Sequence, residues 1–445
     1  MALTVNNPKS IGVSTWFPSG NDLTYTMSST QATQYNFYFK VDVYVNNTKV
    51  VTLRKYPIQN GASVNVRDIV NSYISSNFSV TSSGGSLTWN IANNHEYAEF
   101  HISVTEVYSG DEWETVVTLP MYAWNAAAQF QVEKSGTQTF NRRFTYDNTY
   151  NYRGRPMGKH NAINSKPFWV VVQEDDGYYL AQQYRKQSYP LARGDKRQLS
   201  VFCGNGLSRN TEVGCLIAYG MNENYKLIKK AVKTISNTND NADRHWVNFL
   251  LTGGTESNWN YKYMSGGATF TDMSDCKYIY YYFAKEYTPA FVLESLGSDG
   301  VLYEICDVPE SWSVLYKSHE GGWSNIQCNR RATESTEIKT IARQNVNPTA
   351  AYWASNARLI TPVNVTARGS LTLNTDWIGE EINEDVKDML QSPALYIQHY
   401  KNGSIEYAPV TLADATYTTR ERNDVNLFNY TFNFIESFYK TTIRQ

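Results

Sequence analysis

A strict alternation of apolar and polar residues marks the clearest strand of the chain, close to its N-terminus. The apolar side chains of this run are Tyr35, Phe37, Phe39, Val41, Val43 and Val45. Residues two apart in a strand point to the same face of a sheet, so the run predicts one buried and one solvated face. Asn46–Thr48 has the residue types of a tight turn, and Lys49–Tyr56 is predicted as the return strand.

A helical period and a second hairpin complete the N-terminal pattern. The apolar stripe of the helix consists of Val66, Ile69, Val70, Tyr73 and Ile74. Asn65 precedes this stripe and is the expected N-cap. Glu99–Tyr108 and Glu112–Leu119 predict a hairpin around Ser109–Asp111. We therefore predict a β-sandwich-like module with one helix over residues 1–125.

Residues 126–345 show many short strand patterns without helices between them. The predicted strands are Lys166–Glu174, Tyr178–Gln183, Gln198–Cys203, Gly214–Tyr219, Lys277–Phe283, Ala290–Glu294, Val301–Ile305 and Trp312–Tyr316. Tyr225–Ile235 fits either a helix or a strand, and we favour a strand. Such spacing is typical of sandwiches or barrels, so we predict an all-β central region.

The region 346–445 repeats the arrangement of the N-terminal module. Leu371 and Leu373 lie on a predicted strand, and Pro393 ends a predicted helix whose stripe is Ile382, Val386, Met389 and Leu390. Asn402-Gly403 predicts the turn of a hairpin formed by Ala394–Tyr400 and Ile405–Leu412. A last strand alternates Phe428, Tyr430, Phe432 and Phe434 with polar residues. The whole pattern predicts a mainly β, multi-domain protein of β-sandwich modules, with one short helix on each terminal module.

Composition narrows the class of protein. The chain has 34 Tyr residues but only 18% charged residues, which is as typical of fibres, adhesins and viral coats as of any β-sandwich. A net charge of −2 argues against a surface built entirely for nucleic acid. Five cysteines without a C-x-x-C motif predict free thiols rather than zinc knuckles or a disulfide framework. We expect no membrane span, and the start of the chain lacks the pattern of a secretion signal.

The search for catalytic motifs finds none of specific character. The chain has no Walker loop, no G-x-S-x-G and no H-E-x-x-H, and none of its six histidines has metal-ligand spacing. We predict no catalytic residue, no cofactor and no metal site. Glu174–Asp176 could be a glycosidase carboxylate pair, but its position before Gly177 favours a hairpin turn. Arg193–Asp195 matches an adhesion tripeptide, and we expect it to lie in an exposed loop.

The stretch 141–166 is rich in basic residues interleaved with aromatic ones. Its candidate contact residues are Arg142, Arg143, Tyr146, Tyr150, Tyr152, Arg153 and Arg155. Such a composition can follow single-stranded nucleic acid, but it equally suits a protein interface. We favour an arm that forms contacts between subunits, with nucleic acid as the alternative.

Aromatic residues near glycine-rich loops form a second candidate site. Its members are Trp246, Trp259 and Tyr261. Aromatic rings in such loops can stack on sugars, anchor a subunit contact or close a core, and we favour the latter two.

Two segments resemble elements of structural proteins from bacteriophages that infect Bacteroidetes, including the crAss-like phages. They are Trp312–Tyr316 with His319–Trp323, and Leu371–Trp377 with the helix, hairpin and aromatic strand that follow it. The N-terminal Phe37–Asn46 strand, its hairpin and the Asn65–Ile74 helix also resemble the opening module of these proteins. The resemblance implies a ring, adaptor, muzzle or hub-type tail component that forms a homo-oligomer and contacts other tail and portal-proximal proteins. It further implies a non-enzymatic protein made in the host bacterial cytoplasm and located in the virion. The alternative function is a receptor- or glycan-binding tail protein.

Overall fold

A computed structural model gives the three-dimensional structure and describes 24 parts of the chain. They are residues 3–8, 16–75, 90–91, 97–125, 130–132, 138–140, 171–174, 176–180, 182, 185, 188–203, 215–234, 245–252, 260–263, 273, 275–284, 301–318, 323–328, 331–344, 360–379, 383–413, 418–422, 427–437 and 440–441. In these parts strands dominate, and the sheets are almost entirely antiparallel. The predicted mainly β fold is therefore confirmed.

The N-terminal strands form two sheets that face one another. The strands of these sheets are β1 (Leu3–Asn6), β2 (Trp16–Pro18), β3 (Thr24–Ser29), β4 (Tyr38–Val45), β5 (Thr48–Lys55), β6 (Gly61–Asn65), β8 (Tyr97–Tyr108), β9 (Asp111–Val117) and β10 (Met121–Trp124), whereas β7 (Asn90–Ile91) belongs to neither. One sheet has the order β1-β3-β6, and the other has the order β2-β10-β8-β4-β5 with β9 paired to β8. Apolar side chains from both sheets share one buried core, so this part of the chain is a β-sandwich.

The alternation predicted for β4 is confirmed along the strand. Phe39, Val41 and Val43 are completely buried in the core. Tyr35 departs from the prediction because it precedes the strand and is 77% exposed. Asn36 has a φ of 58°, and this left-handed turn residue breaks the period before β4 begins.

The turn and the helix of this module follow the predicted local chemistry. Asn46 and Asn47 have φ values of 48° and 59°, as the type I′ turn between β4 and β5 requires. Helix α1 covers Arg67–Asn71. Its N-cap is Val66, one residue after the predicted N-cap Asn65. Asn65 nevertheless accepts the backbone N–H of Arg67 at 3.0 Å. Because the helix ends at Asn71, Tyr73 lies beyond it and is exposed, contrary to its place in the predicted stripe.

The central strands form one larger sheet, one smaller sheet and two hairpins. The strands are β11 (Phe130–Val132), β12 (Gln138–Phe140), β13 (Val171–Glu174), β14 (Gly177–Leu180), β15 (Ser188–Ala192), β16 (Lys196–Cys203), β17 (Cys215–Met221), β18 (Leu227–Thr234), β19 (His245–Thr252), β20 (Asn260–Tyr263), β21 (Tyr278–Ala284) and β22 (Val301–Cys306). The larger sheet has the order β15-β22-β21-β17-β18-β20, and the smaller one is β16-β19-β7. Strand β18 confirms the strand preferred for Tyr225–Ile235, whereas Ala290–Glu294 lies outside the described residues.

The C-terminal strands form one nine-stranded sheet with a helix. The strands are β23 (Glu310–Lys317), β24 (Trp323–Gln327), β25 (Arg331–Gln344), β26 (Ile360–Gly379), β27 (Leu395–Lys401), β28 (Ser404–Leu412), β29 (Thr418–Arg422), β30 (Leu427–Glu436) and β31 (Lys440–Thr441). The order is β24-β23-β27-β28-β30-β26-β25, with β29 on β30 and β31 on β26. Helix α2 covers Asn383–Leu390 and buries Val386 and Met389, as predicted.

The aromatic strand β30 has one aromatic face, but its other face is less exposed than expected. Tyr430, Phe432 and Phe434 are buried. Asn429 belongs to the predicted polar face, yet it is only 3% exposed. Its side-chain amide exchanges hydrogen bonds of 2.8 and 2.9 Å with that of Asn374 on β26, which satisfies the buried polar groups.

The chain divides into two compact units. The first contains Met1–Asp307 and Lys317–Ser324, and the second contains Val308–Tyr316 and Asn325–Gln445. The residues of strands β23, β24 and β25 lie within the predicted central region 126–345, but these strands pair within the C-terminal sheet. Strand β7 of the N-terminal region pairs with β19 of the central region. The division at residues 125 and 345 stays a prediction.

Candidate contact surfaces

Trp113 forms an exposed aromatic platform on the N-terminal sandwich. Its ring stacks on Tyr108 with a centroid distance of 4.9 Å, and Tyr108 stacks in turn on Phe37 at 5.9 Å. Its indole N–H donates to the backbone carbonyl of Tyr108 at 3.3 Å. The innermost ring, Phe37, is buried, whereas Trp113 is 55% exposed. The indole is thus held rigidly while much of its surface remains open, which suits an anchor for a binding partner.

A β-bulge places Trp113 in this position. Thr105 pairs with Thr115 and Val107 with Glu112, so Trp113 and Glu114 together lie opposite one residue of β8. Bulges of this kind redirect side chains and bend the strand.

The solvent-facing side of β9 carries large apolar side chains that are exposed. Trp113, Val117 and Leu119 are exposed on or just after this strand, with exposures of 55%, 61% and 76%. The inward residue Val116 packs against the core, and Glu114 accepts the backbone N–H of Leu3 at 3.2 Å. Exposed apolar groups that are close together are characteristic of contact surfaces.

A long two-stranded ribbon is the second candidate surface. Strand β25 has 14 residues and pairs with β26 on one side only, so its other edge is unpaired within the described part of the chain. From Thr333 to Arg343 every residue of β25 is exposed. Ile338 and Ile341 are each 64% exposed, and Val363 on β26 is 50% exposed. A free edge of this length is a template for pairing with another chain.

A cleft on the C-terminal sheet is the third candidate. It has a volume of about 340 Å³ and is lined by residues of six strands, β23, β25, β26, β27, β28 and β30. Trp312 stacks on His399 at 3.6 Å along one wall, and His399 Nε2 lies 2.6 Å from Glu310 Oε1. The hydrogen bond with His399 lowers the pKa of Glu310, so this carboxylate stays ionised and holds the imidazole in place.

The Arg193–Asp195 tripeptide is not the exposed loop that we expected. It forms the tight turn between β15 and β16, where Gly194 has a φ of 90°. Asp195 is 1% exposed and binds the guanidinium of Arg197, itself 2% exposed, at 2.6 Å. Arg193 pairs with Asp307 at 2.5 Å and lowers the pKa of that carboxyl. An adhesion motif must expose its aspartate to a receptor, whereas Asp195 is buried and paired with Arg197.

The Arg193–Asp307 pair borders a cavity of about 680 Å³ that also contains Cys276 and Cys306. Burial raises the pKa of the Cys306 thiol, which keeps it protonated and unreactive at neutral pH. Cys276, Cys306 and Cys328 are free thiols, as predicted for the cysteines. Among the described residues, no group of three or more His, Cys, Asp or Glu side chains could hold a metal ion.

The two described carboxylates at the β13–β14 turn, Glu174 and Asp176, support the hairpin and its contacts. Glu174 pairs with Gly177 across the hairpin, which confirms the predicted turn. Asp176 accepts hydrogen bonds from Lys226 and Tyr179, both at 2.8 Å, and these bonds lower its pKa. An aspartate held as a stable anion by a lysine is unsuited to act as a general acid.

The predicted contact residues are only partly covered by the structure. The whole of the basic stretch 141–166 lies outside the described residues, as does Trp259. Trp246 pairs with Phe202 in the smaller central sheet, and Tyr261 pairs with Ala231 in the larger one. The backbones of these two aromatic residues therefore belong to different sheets. The sequence analysis did not name Trp113 as a contact residue. The signal for it was the set of apolar residues Trp113, Val117 and Leu119, which lie on or just after β9 and are exposed.

Comparison with known proteins gives no further guide to function. No protein-family model matches the chain, and no curated protein is significantly similar to it. In the part of the chain that the structure describes, no helix has the length and apolar character needed to cross a membrane.

Proposed function

We propose that the chain is a virion structural protein of a bacteriophage tail apparatus and acts through protein–protein interfaces. In this role it is a ring, adaptor, muzzle or hub-type component, forms a homo-oligomer and needs no catalytic site. The observation that carries the proposal is strand β25, which is 14 residues long and exposed on both faces for most of its length. A strand exposed on both faces buries little apolar surface in a monomer, whereas an assembly can bury it against a neighbour.

The sequence supports the placement in a phage tail. The segments Trp312–Tyr316 and Leu371–Trp377 resemble elements of tail proteins of Bacteroidetes phages. Both belong to the C-terminal sheet, on strands β23 and β26. The abundance of Tyr and Trp and the low charge fit a protein with large contact surfaces.

The test consists of two measurements, one on purified virions and one on the isolated chain. Quantitative mass spectrometry of purified virions is expected to find the chain at a fixed copy number. Mass photometry of the purified chain, alone and with neighbouring tail proteins, is expected to give a closed oligomer. A chain that is absent from virions and monomeric under both conditions would contradict the proposal.

A matched pair of variants tests whether the ribbon makes the contact. Ile338→Lys combined with Ile341→Lys places two charges on β25 and is expected to reduce assembly without unfolding the chain. Ile58→Lys changes an equally apolar residue, 82% exposed, on the N-terminal sandwich and serves as the control. Equal assembly of both variants would rule out the ribbon as the contact.

Receptor or glycan binding is the second candidate, favoured by the rigid, exposed ring of Trp113. Indole faces stack well on the apolar faces of sugar rings. A glycan array probed with the assembled particle is expected to show binding that Trp113→Ala removes. Absence of binding on the array would eliminate this candidate.

A further inference from the structure

The charges of strand β25 are divided between its two halves. In chain order, its charged residues are Arg331, Glu334, Glu337, Lys339 and Arg343. Apart from the first residue of the strand, the acidic side chains precede Ile338 and the basic ones follow it. An antiparallel partner with the same sequence would therefore bring acidic residues of one strand close to basic residues of the other.

The side chains in the middle of β25 are open to such a partner. The side chains of Glu337 and Lys339 lie 3.2 Å apart and are 62% and 72% exposed. Ile338 lies between them on the opposite face and is 64% exposed. In the described part of the chain, β25 pairs only with β26, so a strand added at its outer edge would contact both faces at once.

Two copies of one strand can pair in antiparallel fashion only in certain registers. In an antiparallel pair, the residues that direct their backbone N–H and C=O groups at the partner alternate along each strand and lie directly opposite one another. On two copies of the same edge these are the same residues, so one residue must lie opposite its own copy on a two-fold axis. The registers with the longest overlap of β25 are centred on Glu337 or on Ile338.

Charge distinguishes these two registers. The register centred on Glu337 places this residue opposite its own copy, and it also places Arg331 opposite Arg343. The register centred on Ile338 places Glu337 of each copy opposite Lys339 of the other, which gives two ion pairs. Opposite charges across a strand pair stabilise it and like charges destabilise it, so the second register is favoured.

We propose that β25 pairs antiparallel with β25 of a second copy, with Ile338 on the two-fold axis. On one face Ile338 contacts its own copy, and Thr336 lies opposite Thr340 on either side of it. The backbone contributes about one hydrogen bond per paired residue, and the C-terminal sheets of the two copies continue into one sheet. This inference rests on the proposed function, because it names the partner and the register of the ribbon contact.

Exchange of the two central charges tests whether β25 contacts its own copy. Glu337→Lys places lysines opposite lysines, and Lys339→Glu places glutamates opposite glutamates. Each variant alone is expected to dimerise on the order of thirtyfold more weakly than wild type in sedimentation equilibrium. An equimolar mixture of the two is expected to regain the wild-type affinity as a heterodimer, because each lysine then faces a glutamate.

The mixture separates a contact between copies from an effect within one chain. Neither variant keeps the Glu337–Lys339 ion pair within its own strand, so recovery in the mixture must arise between copies. Recovery also shows that both variants are folded. Lys387→Glu makes the same change of charge at an exposed position of helix α2, and this control is expected to dimerise like wild type.

Single cysteines test the register. In Ile338→Cys the new residue lies opposite its own copy, with Cα atoms about 4.5–5.5 Å apart, a distance that a disulfide spans. In Glu337→Cys the two copies are diagonal neighbours about 7–8 Å apart, which is too far. Mild oxidation followed by non-reducing electrophoresis is expected to cross-link Ile338→Cys but not Glu337→Cys. The wild-type chain, with five cysteines, gives the background.

The outcomes separate this inference from the proposed function. Single charge variants that keep the wild-type affinity, a mixture without heterodimers, or cross-linking of Glu337→Cys in place of Ile338→Cys would each overturn the pairing. Loss of a complex with another tail protein in both charge variants, without recovery on mixing, would assign β25 to that protein. In all these cases, the presence of the chain in virions would still support the proposed function. Absence from virions, with the pairing intact, would contradict the proposed function alone.

Discussion

The N-terminal sandwich and the C-terminal sheet are built from the same parts but use their edges differently. Each has a hairpin with a type I′ turn, at Asn46-Asn47 and at Asn402-Gly403, and each has one short helix. In the N-terminal part, two sheets share one core. In the C-terminal part, the sheet continues into the ribbon of β25 and β26, where β25 is exposed on both faces.

The difference between β4 and β25 shows which structural property an alternating sequence indicates. Alternation in β4 arises because one face is buried and the other is wet. Strand β25 has no such pattern, since both of its faces are exposed from Thr333 to Arg343. Its 14 residues form a strand because β26 supplies hydrogen-bond partners along its length. We conclude that apolar alternation detects burial, and that a strand exposed on both faces lacks this signal.

The largest expected effect comes from removing buried rings. Phe39→Ala in the sandwich and Phe434→Ala in the C-terminal sheet, both at fully buried positions, are each expected to lower the free energy of unfolding by about 3–5 kcal/mol. Ile338→Ala on the ribbon is expected to change it by less than about 0.5 kcal/mol. Urea denaturation followed by circular dichroism measures all three. A large loss with Ile338→Ala in the isolated chain would mean that β25 is buried there.

The two hairpin turns give the next comparison. Gly403 has a φ of 86°, where a side chain is strained, so Gly403→Ala is expected to cost about 1–2 kcal/mol. Asn47 occupies the equivalent turn position with a φ of 59°, and Asn47→Gly is expected to stay within about 0.5 kcal/mol of wild type. Equal effects of the two changes in thermal unfolding would contradict the type I′ assignment of one turn.

The Trp113 platform allows a smaller test on the N-terminal side. Trp113→Ala removes the outer ring of the stack and is expected to cost about 1 kcal/mol. Leu119→Ala is the control, because Leu119 is 76% exposed and should contribute little. Chemical denaturation compares the two variants. If Trp113→Ala costs no more than the control, the stack does not hold the indole in place.

The smallest expected effect is a pH dependence in the C-terminal sheet. The hydrogen bond with His399 lowers the pKa of Glu310 in the folded chain below its unfolded value of about 4.3. The contribution is therefore complete above that value and is lost as the pH falls through the folded pKa. Because the side chain is 39% exposed, screening limits the effect to less than about 1 kcal/mol.

Glu310→Gln tests this contribution. The variant is expected to be less stable than wild type at about pH 7 and equal to it at about pH 2. On the N-terminal side, burial alone would raise the pKa of Asp42, but hydrogen bonds from Lys49 and Thr52 outweigh burial and lower it. Asp42→Asn should thus show a dependence of the same sign. A stability difference for Glu310→Gln that grows towards acid pH would contradict the sign.

The sequence by itself determined the parts of the fold that depend on neighbouring residues. The strand Tyr38–Val45, the turn at Asn402-Gly403, the helix Asn383–Leu390 and the aromatic face of β30 all follow from local chemistry and period. In each case the buried face and the turn residues lie within a few positions of one another, so their pattern is visible along the chain.

Only the tertiary structure decided the features that join distant positions. Arg193 and Asp307 are 114 residues apart, and the fold turns the expected adhesion loop into a tight turn with a buried aspartate. The cleft brings Trp312, Gly369 and Glu436 together from three strands. The pairing of those strands is set by cross-strand hydrogen bonds and burial over the whole sheet, which a single sequence does not display. Within the described part of the chain, the position of β25 at the edge of its sheet follows from the same long-range pairing.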